Sequence, residues 1–255
     1  MNSKIRALGA LLFTCLSAAI LPAAPPRLLI SIAANLRDAC EQLQSGLEAS
    51  TGIPVLFNFG STGKLAAQIE QGAPVDLFVA ADAATPRRLE GQGLTLPGSF
   101  AVYARGRLAL WWRADSGLDF GGLQDLARPE VKRIAIADPS LAPYGLAAEQ
   151  ALRTAGLWER VQPRLVFAEN IAQALQYAET GNVEAALVAR SLCAEGQGRW
   201  ILVPAELHAP LDQALVVIRS SPRAEEARRF AEFLLGPEGR RILQSFGYGV
   251  PPTSP

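Results

Sequence analysis

The sequence predicts an α/β protein of two lobes, the second inserted into the first, with a ligand cleft between them. Short apolar runs of strand length alternate with amphipathic runs of helix length, and several helices open on a polar capping residue or a glycine directly after a strand. The middle of the chain repeats the strand-and-helix logic of the start, and the crossings between lobes fall near residues 104 and 207. In open parallel sheets such strand ends gather in the crevice where ligands bind.

Taken in order, 28–33 reads as a buried strand, with Asn35 placed to cap a helix carrying Leu36, Ala39, Cys40, Leu43 and Leu47. A second strand, 55–59, runs into the turn Gly60-Ser61-Thr62-Gly63 and a helix over 64–71, and 75–81 follows as an apolar strand. Ser61 and Thr62 are good cap residues, so free backbone N–H groups and hydroxyls converge where that helix begins, a site suited to an oxyanion. Residues 86–90 read as a helix, 100–103 and the run L-A-L-W-W within 107–112 as strands, and 134–137 as a compact strand before Asp138-Pro139. Pro143-Tyr144-Gly145 leads a helix over 146–155 that Gly156 closes. Leu165 and Phe167 mark a strand, Asn170 caps a helix carrying Ile171, Ala174, Leu175 and Ala178, and 185–189 and 201–203 are strands. A linker over 204–210, a strand over 214–219 and two helices, 223–235 and 238–246, complete the chain.

Composition excludes several functions. The 255 residues are 49% hydrophobic and 19% charged, enough apolar material for a packed core. Lysine plus arginine equal aspartate plus glutamate at 24 each, so no basic surplus attracts nucleic acid. One histidine, His208, rules out a histidine-rich metal site, and Cys15, Cys40 and Cys193 lack zinc spacing. Lys4 and Arg6 precede an apolar run that ends in small residues, the layout of a signal peptide over 1–24 and of an exported protein. Cys15 is weak as a lipid-attachment point. Cys40 and Cys193 read as two buried free thiols in the mature chain.

The turn at 60–63 fails as a nucleotide phosphate loop: Asn58 stands where that loop needs glycine, and Leu65 follows Lys64 where it needs Ser or Thr. No G-x-S-x-G surrounds a serine. Asp76 and Asp82 flank a strand and form an imaginable acid/base pair, with strand-end caps as the plainer reading. A site of neutral donors is better supported: side chains of Asn35, Ser61, Thr62 and Tyr144, with backbone N–H groups at the helix starts.

The stretches I-S-I-A-A-N-L-R-D-A, F-G-S-T-G-K-L-A-A-Q-I-E-Q-G-A-P-V-D-L-F-V-A-A-D and I-A-D-P-S-L-A-P-Y-G-L-A-A-E-Q-A-L occur in an order that resembles the periplasmic molybdate-binding proteins, the receptors of molybdate importers. A-E-N-I-A-Q-A-L and G-P-E-G-R-R-I-L-Q-S-F-G-Y add weaker matches, and the similarity spans roughly 27–248. The resemblance implies a type II periplasmic binding protein fold, with lobe I formed by 27–104 plus 208–255 and lobe II by 105–207. It implies a non-enzymatic, monomeric receptor in the periplasm that binds molybdate or tungstate without a cofactor and delivers it to the membrane permease of an ABC importer. Its first binding position falls on Asn35, its second-loop hydroxyl on Thr62 with Ser61 beside it, its phenol on Tyr144 and its last backbone donor on Ile171. Asn35, Thr62, Tyr144 and Ile171 would meet the metal only through the oxygens of its oxyanion. Ala189 stands where some members carry a binding tyrosine, and Tyr144 supplies the phenol from the other side of the cleft, as in members with that exchange. Rival readings are a receptor for sulfate or phosphate on the same fold, a secreted enzyme using Asp76 or Asp82, and a sensor domain.

Overall fold

The computed structural model describes residues 27–194, 196 and 198–249. The expected signal segment, Cys15 with it, lies outside these residues. Among the described residues, ten strands form two five-stranded sheets. In the first, β1 (Leu28–Ala33) pairs in parallel with β2 (Val55–Gly60) and β3 (Leu77–Val79). In the second, β6 (Ile134–Ala137) pairs in parallel with β7 (Leu165–Ala168) and β8 (Ala185–Ala189). Each parallel trio is extended by two antiparallel pairings. β10 (Leu211–Val217) lies between β3 and β4 (Ala101–Gly106), and β5 (Leu108–Trp112) lies between β8 and β9 (Arg199–Leu202). The two sheets therefore share one topology, orders β2-β1-β3-β10-β4 and β7-β6-β8-β5-β9.

The chain passes from the first sheet to the second at Arg107, between β4 and β5, and returns between β9 and β10. β4 runs two residues beyond the crossing expected at 104.

Helices cover both faces of each sheet, as parallel strands require. In the first, α1 (Arg37–Thr51) buries Ala39, Cys40, Leu43 and Leu47, in one core with Phe230 of α7 (Ala224–Leu235) and Ile242 of α8 (Pro237–Ser245). On the other face α2 (Thr62–Glu70) and α3 (Ala84–Gly91) bury Leu65, Ile69 and Leu89 around Phe78. Burial of each such large side chain contributes roughly 1.5–3 kcal/mol. α4 (Pro143–Thr154), α5 (Trp158–Val161) and α6 (Ile171–Glu179) pack on the second sheet. Its core cluster also takes in Ala33, Ala34 and Ala81 from strand ends of the first sheet. The lobes are thus in contact and the cleft between them is closed.

Strand register decides where the helices begin. Ala33 lies opposite Gly60, so β1 and β2 finish level and the segments at Asn35 and Ser61 start side by side. Ala137 lies opposite Ala168, which aligns the approaches to α4 and α6 in the same way. α4 begins at Pro143, three residues earlier than the sequence suggests, because proline suits the first helical position.

Candidate functional site

Asn35, Ser61, Thr62, Tyr144 and Ile171 all line one cavity of about 10 Å³ where the two sheets' carboxyl ends meet. The rest of its lining is small and apolar, including Ala33, Ala34, Ala81 and Ala142, and holds no charged side chain. A larger space of about 390 Å³ adjoins it at Ala142 and Pro143 and carries the charges, Asp82 and Arg88.

Each polar group reaches the inner cavity for a local reason. Ser61 is the cap residue of α2, extended at φ −70° and ψ 147°, yet its hydroxyl makes no capping bond. Its Oγ is buried with no partner among the described residues. Thr62 opens the helix, and its Oγ1 accepts the Ala81 N–H at 3.0 Å, which leaves the hydroxyl hydrogen available. The next N–H crosses the cleft: Gly63 donates to the Leu141 carbonyl at 2.8 Å. A Cβ on Gly63 would lie 2.9 Å from that oxygen, so only glycine permits the approach unstrained.

On the opposite wall Asn170 caps α6 as expected, its Oδ1 accepting from Ala172 and Gln173, each at 3.1 Å. The cap serves the second and third helical positions and leaves the first N–H, that of Ile171, unserved by it. Tyr144 sits in the first turn of α4, 1% exposed, and its oxygen accepts from Gln213 Nε2 at 3.0 Å. Burial pushes the phenol well above its ordinary pKa, outweighing the hydrogen bonds from Gln213 and the Arg107 backbone. Tyr144 is therefore a hydrogen donor throughout the neutral range.

Asn35 corrects the expectation drawn from sequence. It caps no helix: a 3-10 turn, Ala34–Leu36, precedes α1, and Asn35 lies within it. Its amide is drawn inward, Nδ2 donating to Gln213 Oε1 at 2.9 Å and to the Tyr248 hydroxyl at 2.7 Å. Both side-chain N–H groups are spent there. Its backbone carbonyl accepts from Ser191 Oγ at 2.8 Å and from the Tyr248 hydroxyl at 2.9 Å, while its side-chain Oδ1 is buried with no partner among the described residues. Gln213, Tyr248, Tyr103 and Ser191 form a polar frame behind the cavity that sequence reasoning missed. The one available signal was an amide directly before the apolar run Ala214 to Val217 of β10.

Asp76 and Asp82 do not form a pair. Asp76 lies before β3, accepting from the Leu29 N–H at 2.8 Å and Ser221 Oγ at 2.6 Å. Asp82 follows β3 and accepts from both the backbone and the hydroxyl of Thr85. Burial, its largest influence, raises the Asp82 pKa against those bonds. Cys40 and Cys193 are buried and unbridged.

Two α/β sheets whose parallel strands end on a small, neutral, donor-lined cavity in a closed cleft define a two-lobed solute receptor. Residues 28–249 match the family described as bacterial extracellular solute-binding protein, and the chain belongs to that family, among its ModA-type members. It is 36% identical over 255 residues to the molybdate-binding protein ModA of Azotobacter vinelandii, covering 98% of each chain. It is 34% identical over 230 residues to ModA of Rhodobacter capsulatus, covering 89% of this chain and 90% of that one. A solved structure of the Azotobacter vinelandii periplasmic molybdate-binding protein superposes with a TM-score of 0.83 at 33% identity, covering 89% of this chain and all of that one.

Proposed function

We propose that this protein captures molybdate, and with it tungstate, outside the cytoplasm and delivers it to the membrane permease of an ABC importer. The observation that carries the reading is the convergence of neutral donors from both lobes on one uncharged cavity. Thr62 and Ser61 offer hydroxyls, Tyr144 its phenol, and Ile171 its backbone N–H. Asn35, whose side-chain N–H groups are engaged, offers the backbone N–H at the second position of its 3-10 turn.

Neutral donors suit a dianion that must be held and then released. Buried cations would bind it strongly but stand unpaired in an empty cleft. Closure follows from differential affinity: the ligand meets both walls only when 27–104 plus 208–255 and 105–207 approach as lobes. Asp76 and Asp82 are engaged as caps, which supports a receptor rather than an enzyme. Calorimetry with molybdate, tungstate and sulfate in parallel tests the reading. Tight binding of the first two and weak binding of sulfate is expected; tight sulfate or phosphate binding without molybdate binding overturns it.

A further inference from the structure

Gln213 is fully buried in β10 and touches three functional or framing side chains at once. Its Oε1 accepts from Asn35 Nδ2 at 2.9 Å and lies 2.8 Å from the Tyr103 hydroxyl, whose one hydrogen is shared with the Ala80 carbonyl at 3.0 Å. With the Asn35 amide donating on that side, the network assigns oxygen there and places Nε2 towards Tyr144, 3.0 Å away. The contact joins the lobes, since β10 belongs to the first sheet and α4 packs on the second. Gly106 makes room for it. A Cβ at Gly106 would come within 2.2 Å of the Tyr144 oxygen and 2.4 Å of Gln213 Nε2.

We infer that Gln213 is the positioning residue of the site: by donating its Nε2–H to the Tyr144 oxygen, it leaves the phenol's own hydrogen for the bound anion. An acceptor in the same place would take that hydrogen and turn the phenol away from the ligand. A glutamate tests this because its two protonation states differ in that one respect. A protonated carboxyl accepts from Asn35 and donates to Tyr144, as the amide does; an ionised carboxylate only accepts.

The inference rests on the anion-receptor reading, and calorimetry with molybdate separates the two. Absence of molybdate binding by the wild-type chain is a failure of that reading, seen before any variant is compared. Wild type should bind evenly from about pH 5.5 to about pH 9, since Tyr144 stays protonated throughout. Gln213→Glu should approach wild type at the acid end and weaken by at least about tenfold at the alkaline end, as its carboxyl ionises. With Tyr144→Phe as the background, the alkaline loss should shrink below about threefold. An undiminished loss in that background makes charge repulsion the whole effect and overturns the inference, as does a Gln213→Glu profile parallel to wild type. Gly106→Ala leaves both side chains chemically intact but separates them. It should weaken binding by about tenfold at every pH without adding charge, and wild-type affinity in a variant that melts as a folded protein overturns the inference.

Discussion

The two walls of the cavity begin from the same design, helices starting at level parallel-strand ends, and differ in what has been left free. On the first wall the cap residue of α2, Ser61, spends nothing on its own helix, and its hydroxyl has no partner among the described residues. On the second, Asn170 closes its helix with two capping bonds and Tyr144 is already held by Gln213. A hydroxyl without a protein partner is costly when buried, about 1–3 kcal/mol, unless a ligand satisfies it. Both walls are thus left to be completed by an anion, the first through a hydroxyl with no protein partner and the second through the Ile171 N–H and the Tyr144 hydrogen, held in place by the Asn170 cap and by Gln213. Gly63 is the joint between them, donating across the cleft to Leu141.

The largest effect should come from removing a group that serves both protein and ligand. Thr62→Val deletes the acceptor of the buried Ala81 N–H together with a cavity hydroxyl. Stability should fall by about 1–3 kcal/mol and molybdate affinity by roughly ten- to hundredfold, read by thermal melting and calorimetry. Loss of stability with unchanged affinity would move Thr62 off the ligand and leave it a framing residue like Gln213.

Gly63→Ala separates closure from folding. The added methyl would press on Leu141 only when the lobes meet, so the unliganded melt should stay near wild type while affinity falls by about tenfold. An equal melt with equal affinity would show that the Gly63–Leu141 contact is not part of the bound state. The difference in capping has its own test. Asn170→Ala should cost about 1 kcal/mol of stability, because two first-turn N–H groups lose their acceptor. Ser61→Ala should cost no stability and lower affinity by about three- to tenfold. Equal stability losses would erase the distinction between the walls.

What the sequence showed and what it hid follow the same division. Ser61, Thr62, Tyr144 and Ile171 sit at helix starts, where a local pattern of strand, turn and amphipathic run is enough to locate them. Asn170 as a cap was legible for the same reason. The polar frame was not, because Asn35 and Gln213 are 178 residues apart and Asn35 and Tyr248 are 213 apart. No local spacing records such contacts. They also explain why Asn35 misleads: a cap-forming residue type after a strand reads as a cap, but two distant partners draw its amide into the core. Asp76 and Asp82, six residues apart on either side of one strand, could not be resolved by spacing. β3 carries them to opposite ends of the sheet, where each caps its own neighbourhood.

The smallest effect is expected from the ion pair that, among the described residues, joins the walls. Lys64, in the first turn of α2, bonds Glu169, which precedes α6, and both side chains are about half exposed at 49% and 46%. Water and salt screen such pairs, so the contact contributes roughly 0–1 kcal/mol. Lys64→Gln should therefore shift affinity by at most about threefold, and the difference should vanish at high ionic strength. The inner cavity, with no charged side chain in its lining, should keep its affinity under the same change of salt apart from screening of the anion itself. A loss beyond tenfold that persists in high salt would place the Lys64 ammonium on the ligand, and the cavity would no longer be a neutral one.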